Sequence, residues 1–314
     1  MPKKSPRKFI SIVVPIYNEE EVIPELIRQL HVFADAHKQY RYEFILVEHG
    51  SKDSSYKLLQ KQAKKDKRLK VLQLAKNVEC DGGLVAGMNF ASGDACVLLM
   101  ADLQEPLSVV TKFFKQWEKG YEIVYGVVKK RTGGRIRNLN SRIFYKVMNL
   151  LTGNVFPENV SDFRLMDKKV YKAIIKMPEQ NKYLRGLVMW TGFSSIGVEF
   201  ARVDRFAGES KADFKTVLKV ASNGIFSFSY FPLRFVTFLG LAMTGISFLM
   251  ILFYFYLYLI NGQIAPGVNT IIILLLFLFG VLFFVLGIIS EYLARIYEEA
   301  KGRPHFLVKN KVNL

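Results

Sequence analysis

The chain has 314 residues, with 44 Lys and Arg against 27 Asp and Glu, a formal charge of +17. That length allows one or two domains, and two cysteines (Cys80, Cys96) with four scattered histidines (His31, His37, His49, His305) exclude a disulfide framework and a zinc site by spacing. The basic balance points to nucleic acid, an anionic membrane surface or phosphorylated ligands.

In chain order, Phe9 to Tyr17 reads as a first strand ending at Asn18-Glu19-Glu20, and Pro24 to Lys38 as a helix. Tyr42 to Val47 is a second strand, ending at Glu48-His49-Gly50-Ser51-Lys52-Asp53. Ser54 to Lys65 is helical, with Asp53 or Ser54 as its N-cap. Leu69 to Leu74 is a third strand, Gly82 to Ala91 a helix, and Ala95 to Met100 a fourth strand. Strands alternating with helices at this rhythm predict an α/β fold with a doubly wound, mostly parallel sheet. Polar residues collect where the strands end, which is the ligand edge of such sheets. The fourth strand is the most informative. Its apolar run stops at Asp102, followed by Gln104, Glu105 and Pro106. A carboxylate and an amide there offer oxygen to a hard cation such as Mg²⁺ or Mn²⁺, which is held by few protein groups plus phosphates. A solvated turn is the plainer alternative.

From Ile123 to Pro157 there is no acidic residue and there are seven basic ones: Lys129, Lys130, Arg131, Arg135, Arg137, Arg142 and Lys146. Thr132-Gly133-Gly134-Arg135 suits an anionic headgroup or phosphate. Ser141 to Leu151 has a helical apolar face (Ile143, Phe144, Val147, Leu150, Leu151) opposite Arg142, Lys146 and Asn149. Such a helix lies in a membrane interface or packs on the sheet, and the pattern serves both. Arg205 and Lys211 flank a Gly-Glu-Ser turn and suit a diphosphate.

Between Arg234 and Glu291 no residue is charged. Phe235 to Ile260 and Thr270 to Ser290 are each long enough to span a bilayer, which takes ~20 apolar residues. Asn261-Gly262-Gln263 and Pro266-Gly267 break the run into a helical hairpin. Arg234 precedes it, and Arg295, Lys301, Arg303, Lys309 and Lys311 come after it, which predicts both ends cytoplasmic and the turn outside. The N-terminus shows no apolar signal segment, so the hydrophilic two-thirds is expected in the cytoplasm. The expected organisation is 1–215 for the catalytic unit, 216–234 as an interfacial segment, 235–290 for two spans and 291–314 as a cytoplasmic tail. Membrane and phosphate account for the charge, and nucleic acid is not expected as a partner.

Several motifs in this order resemble the membrane-bound glycosyltransferase family 2 enzymes, and within them the polyprenyl-phosphate glycosyltransferases. They are Ser11-Ile-Val-Val-Pro-Ile-Tyr-Asn-Glu-Glu20, Gly50-Ser51-Lys52-Asp53, Ala101-Asp102-Leu103-Gln104-Glu105-Pro106, Ser161-Asp162-Phe163-Arg164-Leu165, Leu184-Arg185-Gly186 and Arg205-Phe206-Ala207-Gly208-Glu209-Ser210-Lys211, then the two-span tail. The resemblance implies a nucleotide-diphospho-sugar transferase fold of the GT-A type, with interfacial helices and a two-helix transmembrane hairpin after it. It implies a nucleotide-diphosphate sugar as donor, a polyprenyl phosphate as acceptor, and Mg²⁺ or Mn²⁺ as cofactor. The implied donor site comprises Pro15, Tyr17, Asn18, Glu19, Glu48, His49, Ser51, Asp53, Lys76 and Ala101, with Asp102 and Gln104 on the metal. Asp102, Asp162, Arg205 and Lys211 would carry catalysis. Arg131, Arg135, Arg137 and Ser141 would meet the acceptor phosphate. Membrane lipids, a homo-oligomer and a small membrane flippase are compatible partners.

The chain departs from the family pattern at two strand ends. The family usually reads Val-Asp-Asp-Gly-Ser or Val-Asn-Asp-Gly-Ser where this chain reads Val47-Glu48-His49-Gly50-Ser51, and Asp-Ala-Asp where it reads Met100-Ala101-Asp102. His49 is expected to donate a hydrogen bond where the family's Asp accepts one. These losses keep open a second reading, a non-catalytic homologue that binds lipid or nucleotide in a membrane glycosylation assembly. A processive polysaccharide synthase would need more spans and a Gln-x-x-Arg-Trp motif, which is absent.

Overall fold

Apolar, β-branched runs form the strands, and their continuous burial on both faces is what a sheet covered by helices requires. A computed structural model describes residues 7–129, 160–180, 182–204, 206, 229–261 and 267–314. Strands β1 (Phe9–Ile16), β2 (Arg41–Glu48), β3 (Leu69–Leu74) and β4 (Ala95–Leu98) alternate with helices α1 (Ile23–Ala36), α2 (Ser55–Ala63) and α3 (Glu79–Phe90). Helix α4 (Ser108–Glu118), β5 (Ile123–Val128), β6 (Val160–Asp167), α5 (Lys168–Lys176), α6 (Leu184–Trp190) and β7 (Ser195–Phe200) come next. The last elements are α7 (Phe231–Asn261), α8 (Val268–Ala300) and β8 (Val308–Val312).

The sheet runs β7-β5-β6-β4-β1-β2-β3-β8. The β1–β2, β1–β4, β2–β3 and β5–β7 pairs are parallel, while β6 and β8 join antiparallel. The sheet is therefore mixed and mostly parallel. Its chain order reverses at β1, between β2 and β4, and such a switch point opens a crevice at the carboxyl ends of the strands. One core face holds Ile10, Ile12, Phe44, Val71, Val97 and Phe113, and the other Val13, Val47, Leu72, Leu84, Met88 and Tyr171.

Local chemistry moves some boundaries. Helix α3 begins a turn earlier than Gly82, because Asn77 Oδ1 accepts the Glu79 N–H at 2.8 Å and satisfies an orphan donor. Ser54 holds the N-cap position of α2 without a side-chain cap bond, and Asp53 Oδ1, one residue before it, accepts the Ser55 N–H at 3.0 Å. Strand β4 stops at Leu98, although the Leu99 N–H still reaches Val13 O at 3.0 Å.

The chain divides into two compact units, Met1–Gly224 with Pro304–Leu314, and Ile225–Arg303. In the second, α7 and α8 are long and apolar enough to cross a bilayer, with a mean hydropathy of 2.2 in the spanning windows. Phe238, Leu249, Leu259 and Phe283 are exposed along them, as lipid-facing residues are. Helix α8 runs ten residues beyond the expected Ser290, to Ala300. The Tyr292 hydroxyl donates to Ser229 O at 2.8 Å, which brings the end of α8 beside the start of α7 and makes the pair antiparallel.

Candidate active site

Three strand ends build the crevice. After β1, Asn18 takes the left-handed conformation, φ +52°, which Asn tolerates better than most residues. That turn aims its N–H at Ser51 Oγ, 3.0 Å, and lets Asn18 Oδ1 accept the Lys52 N–H at 2.8 Å. Glu19 N–H donates to Ser55 Oγ at 3.1 Å, and Glu20 N–H to Asp53 Oδ2 at 3.1 Å. The β1 and β2 loops are therefore laced together before any ligand arrives, and Ser51 and Asp53 serve that lacing.

After β2, Glu48 is buried and accepts the Ser51 N–H at 2.5 Å. His49 is 5% exposed. Its ring stacks on Tyr17, with centroids 5.4 Å apart. Its Nδ1 lies 3.1 Å from Asn77 Oδ1. Because that oxygen also accepts the Glu79 N–H, it is the amide's acceptor atom, so His49 Nδ1 carries the hydrogen. In the neutral ring Nε2 is then the acceptor, and the ring's N–H is committed to Asn77. Gly83 closes the same wall: a Cβ there would stand 3.0 Å from Pro15 Cβ and 3.3 Å from His49 Cδ2. Lys76 is exposed on the loop after β3.

After β4, Ala101 is buried and Asp102 half-buried. Asp102 Oδ1 accepts the Gln104 N–H at 3.3 Å, and Leu103 between them has φ +57°. Gln104 O accepts the Val203 N–H at 3.2 Å. Glu105 turns inward, accepts a hydrogen bond from Ser161 Oγ, and lies 3.5 Å from Arg202 Nη2. Burial pushes its carboxyl up to about 7 despite Ser161 and Arg202.

Asp162 on β6 is forked by Arg185 of α6 at 2.7 and 2.5 Å, and the buried Arg164 stands 3.4 Å away. Burial opposes the Asp162 charge, but Arg185, Arg164 and Arg202 outweigh it and hold the carboxyl below its usual range. A carboxylate bound this way is a weak base and a good anchor. Asp81 on the first turn of α3 accepts the Leu184 N–H at 3.4 Å. Burial and then the Asp162 charge push its carboxyl up.

Sequence reasoning missed Asp81 and Arg202 as site neighbours and gave Arg164 and Arg185 no role. Only the motif Leu184-Arg185-Gly186 hinted at the last. Arg131, Arg135, Arg137, Ser141, Arg205 and Lys211 lie outside the described residues. Among the described residues no group of three or more His, Cys, Asp or Glu side chains is placed to hold a metal. Asp102 and Gln104 stand two residues apart on the loop after β4, and the hydrogen bond between them runs from the Gln104 backbone N–H to Asp102 Oδ1.

The model of the family described as glycosyl transferase family 2 matches residues 11–175, from β1 to the last turn of α5 and so through Asp102 and Asp162. An uncharacterized glycosyltransferase of Bacillus subtilis (strain 168) is 37% identical over 305 residues, 97% of this chain and 94% of its own length. A bactoprenol glucosyl transferase of Shigella phage SfV is 36% identical over 303 residues, 96% of this chain and 98% of its own. In fold, the chain is similar to glucosyl-3-phosphoglycerate synthase from Mycobacterium tuberculosis, solved with Mn²⁺, uridine diphosphate and phosphoglyceric acid. The TM-score is 0.51 at 18% identity, covering 70% of this chain and 76% of that one. A family model that covers the strand-end crevice, and relatives that match nearly end to end, agree with the sheet order and with Asp102 on the loop after β4: the chain belongs to glycosyltransferase family 2.

Proposed function

We propose that this glycosyltransferase moves a hexose, glucose first among candidates, from a nucleotide-diphosphate sugar to a polyprenyl phosphate at the cytoplasmic face of a membrane. The observation that carries the reading is the near end-to-end likeness to a bactoprenol glucosyl transferase, which extends through both apolar helices. The crevice at the β1/β4 switch point supports it.

The acceptor phosphate oxygen attacks the anomeric carbon. The bond from that carbon to the donor diphosphate breaks, and the nucleoside diphosphate leaves with the electron pair. A phosphate monoester is already nucleophilic near neutral pH, so a strong base is not required, and an Asp162 held by Arg185 fits that chemistry. Catalysis is then positioning and stabilisation of leaving-group charge. Asp102 and Gln104 would hold Mg²⁺ or Mn²⁺, which when bound neutralises charge on the diphosphate. Tyr17, His49 and the laced loops form the donor wall. Arg205 and Lys211 are proposed for the leaving group, and Arg131, Arg135, Arg137 and Ser141 for the acceptor phosphate. Homo-oligomers and a flippase partner belong to the same proposal.

The test is to incubate detergent-solubilised protein with a panel of nucleotide sugars and a polyprenyl phosphate, and to look for a glycolipid. Its absence with every donor, together with retained nucleotide binding, selects the non-catalytic reading that Met100 at the family's carboxylate position favours.

A further inference from the structure

We infer that the segment after the two apolar helices, Pro304–Leu314, is a positioning element of the active site, with His305 and Phe306 as its positioning residues. This rests on the function proposed above. By sequence the segment reads as a basic tail. In the structure β8 pairs antiparallel with β3, from Val71↔Val312 to Leu74↔Val308. The pairing continues one step further, where the Ala75 N–H donates to Leu307 O at 2.9 Å. Ala75 opens the short loop to α3. Two residues on, Asn77 holds His49 Nδ1 and caps α3. The tail thus braces the loop that sets the donor wall.

Two residues before Leu307, the same segment reaches a second loop. His305 Nδ1 lies 3.0 Å from Gln180 O. A carbonyl only accepts, so the ring donates. Gln180 sits in the connection from α5 to α6, where the Lys182 ammonium also reaches Ile174 O at 3.2 Å and Ile175 O at 3.3 Å. That connection delivers α6, whose Leu184 N–H meets Asp81 and whose Arg185 forks Asp162. Between the two contacts, Phe306 packs against the core face that holds Leu74, Leu84 and Leu184, the face against which Val78 and Met100 also pack. Three consecutive residues therefore fix both loops. Asn313 anchors the far end, its amide donating to Ala63 O at 2.7 Å and Leu69 O at 2.9 Å. By these contacts the segment beyond α8 belongs to the framework of the site.

The experiment uses the full chain in detergent and combines transfer kinetics with hydrogen exchange. His305→Ala should lower kcat about fivefold with donor KM within about twofold, the scale of one lost hydrogen bond. His305→Asn, whose amide can donate to the same carbonyl, should recover most of it. Phe306→Ala should instead raise donor KM roughly fivefold, because the Asn77–His49 wall loosens. Exchange should quicken at 182–187 in His305→Ala and at 75–80 in Phe306→Ala. A purely structural tail would lower the folded fraction and leave kcat and KM of the folded protein unchanged. That result, or unchanged exchange in both loops, overturns the inference. Should the wild type transfer no sugar, the proposed reaction is lost. Faster exchange in both loops would still support the brace, and unchanged exchange would still overturn it.

Discussion

At the scale of the residue, the site turns on which carboxylates are left and what holds them. Where the family usually carries a carboxylate, Met100 presents a thioether, with Cys80 Sγ 3.4 Å from its sulfur. Soft sulfur does not replace a hard oxygen ligand for Mg²⁺ or Mn²⁺. On the proposed assignment Asp102 carries most of the protein's share of the cation, from a position between the buried Ala101 and Leu103. Asp102→Ala is expected to lower transfer by a factor of ~100 or more while the protein still folds and inserts, which kinetics beside a thermal melt would check. Gln104→Ala should do less, since an amide is a weaker ligand. Unchanged turnover in Asp102→Ala would sink the metal assignment. Asp81 tests the neighbouring charges. Its folded carboxyl is raised above its ordinary value of 3.8 by burial and by Asp162, so folding favours the protonated form. The stability this gives is full below about pH 4 and is lost as pH rises towards neutrality. Asp81→Asn removes that dependence. Its stability relative to wild type should climb by ~1–2 kcal/mol between acid and neutral pH and then level off. Melting curves across that window would show a flat difference if Asp81 were ionised throughout.

At the scale of the element, legibility in the sequence tracks locality. Strands β1 to β4 and their helices are readable because each is a long apolar run bounded by turn chemistry. Strand β8 is not. Val308-Lys309-Asn310-Lys311-Val312 alternates, but it is short and charged, as an edge strand is, and its partner β3 lies far back in the chain. The Asp162–Arg185 pair is hidden in a similar way. Both residues stand in recognisable motifs, yet nothing local says that α6 folds back onto β6. Asp81 looks like an ordinary acidic residue in a first helical turn. The basic stretch from Lys129 to Arg142 belongs to this scale too. It contains no acidic residue and precedes a candidate interfacial helix. Neutralising Arg131, Arg135 and Arg137 together should raise KM for the polyprenyl phosphate by about tenfold or more and leave donor binding nearly alone. Equal losses for both substrates would make the stretch structural.

At the scale of the whole molecule, the chain order constrains topology. The chain runs through the sheet unit, then through α7 and α8, and then supplies β8 to the same sheet. Both ends of the apolar hairpin are therefore joined to one hydrophilic unit, which cannot be divided across a bilayer. Two spans satisfy that condition, and an odd number would not. Charge then chooses the side. Arg234, Arg295, Lys301 and Arg303 flank the uncharged apolar run, while Asn261 to Gly267 carries no charge, so the flanks are expected in the cytoplasm. The check is a cysteine at Gln263 probed with a membrane-impermeant maleimide, beside a reporter fused after Leu314. The Gln263→Cys protein should label in intact cells, whereas the native Cys80, exposed on the sheet unit, should label only after permeabilisation. The reporter should read cytoplasmic. Labelling of Cys80 from outside, or an external reporter, would reverse the orientation and put the strand-end crevice out of reach of cytoplasmic nucleotide sugars.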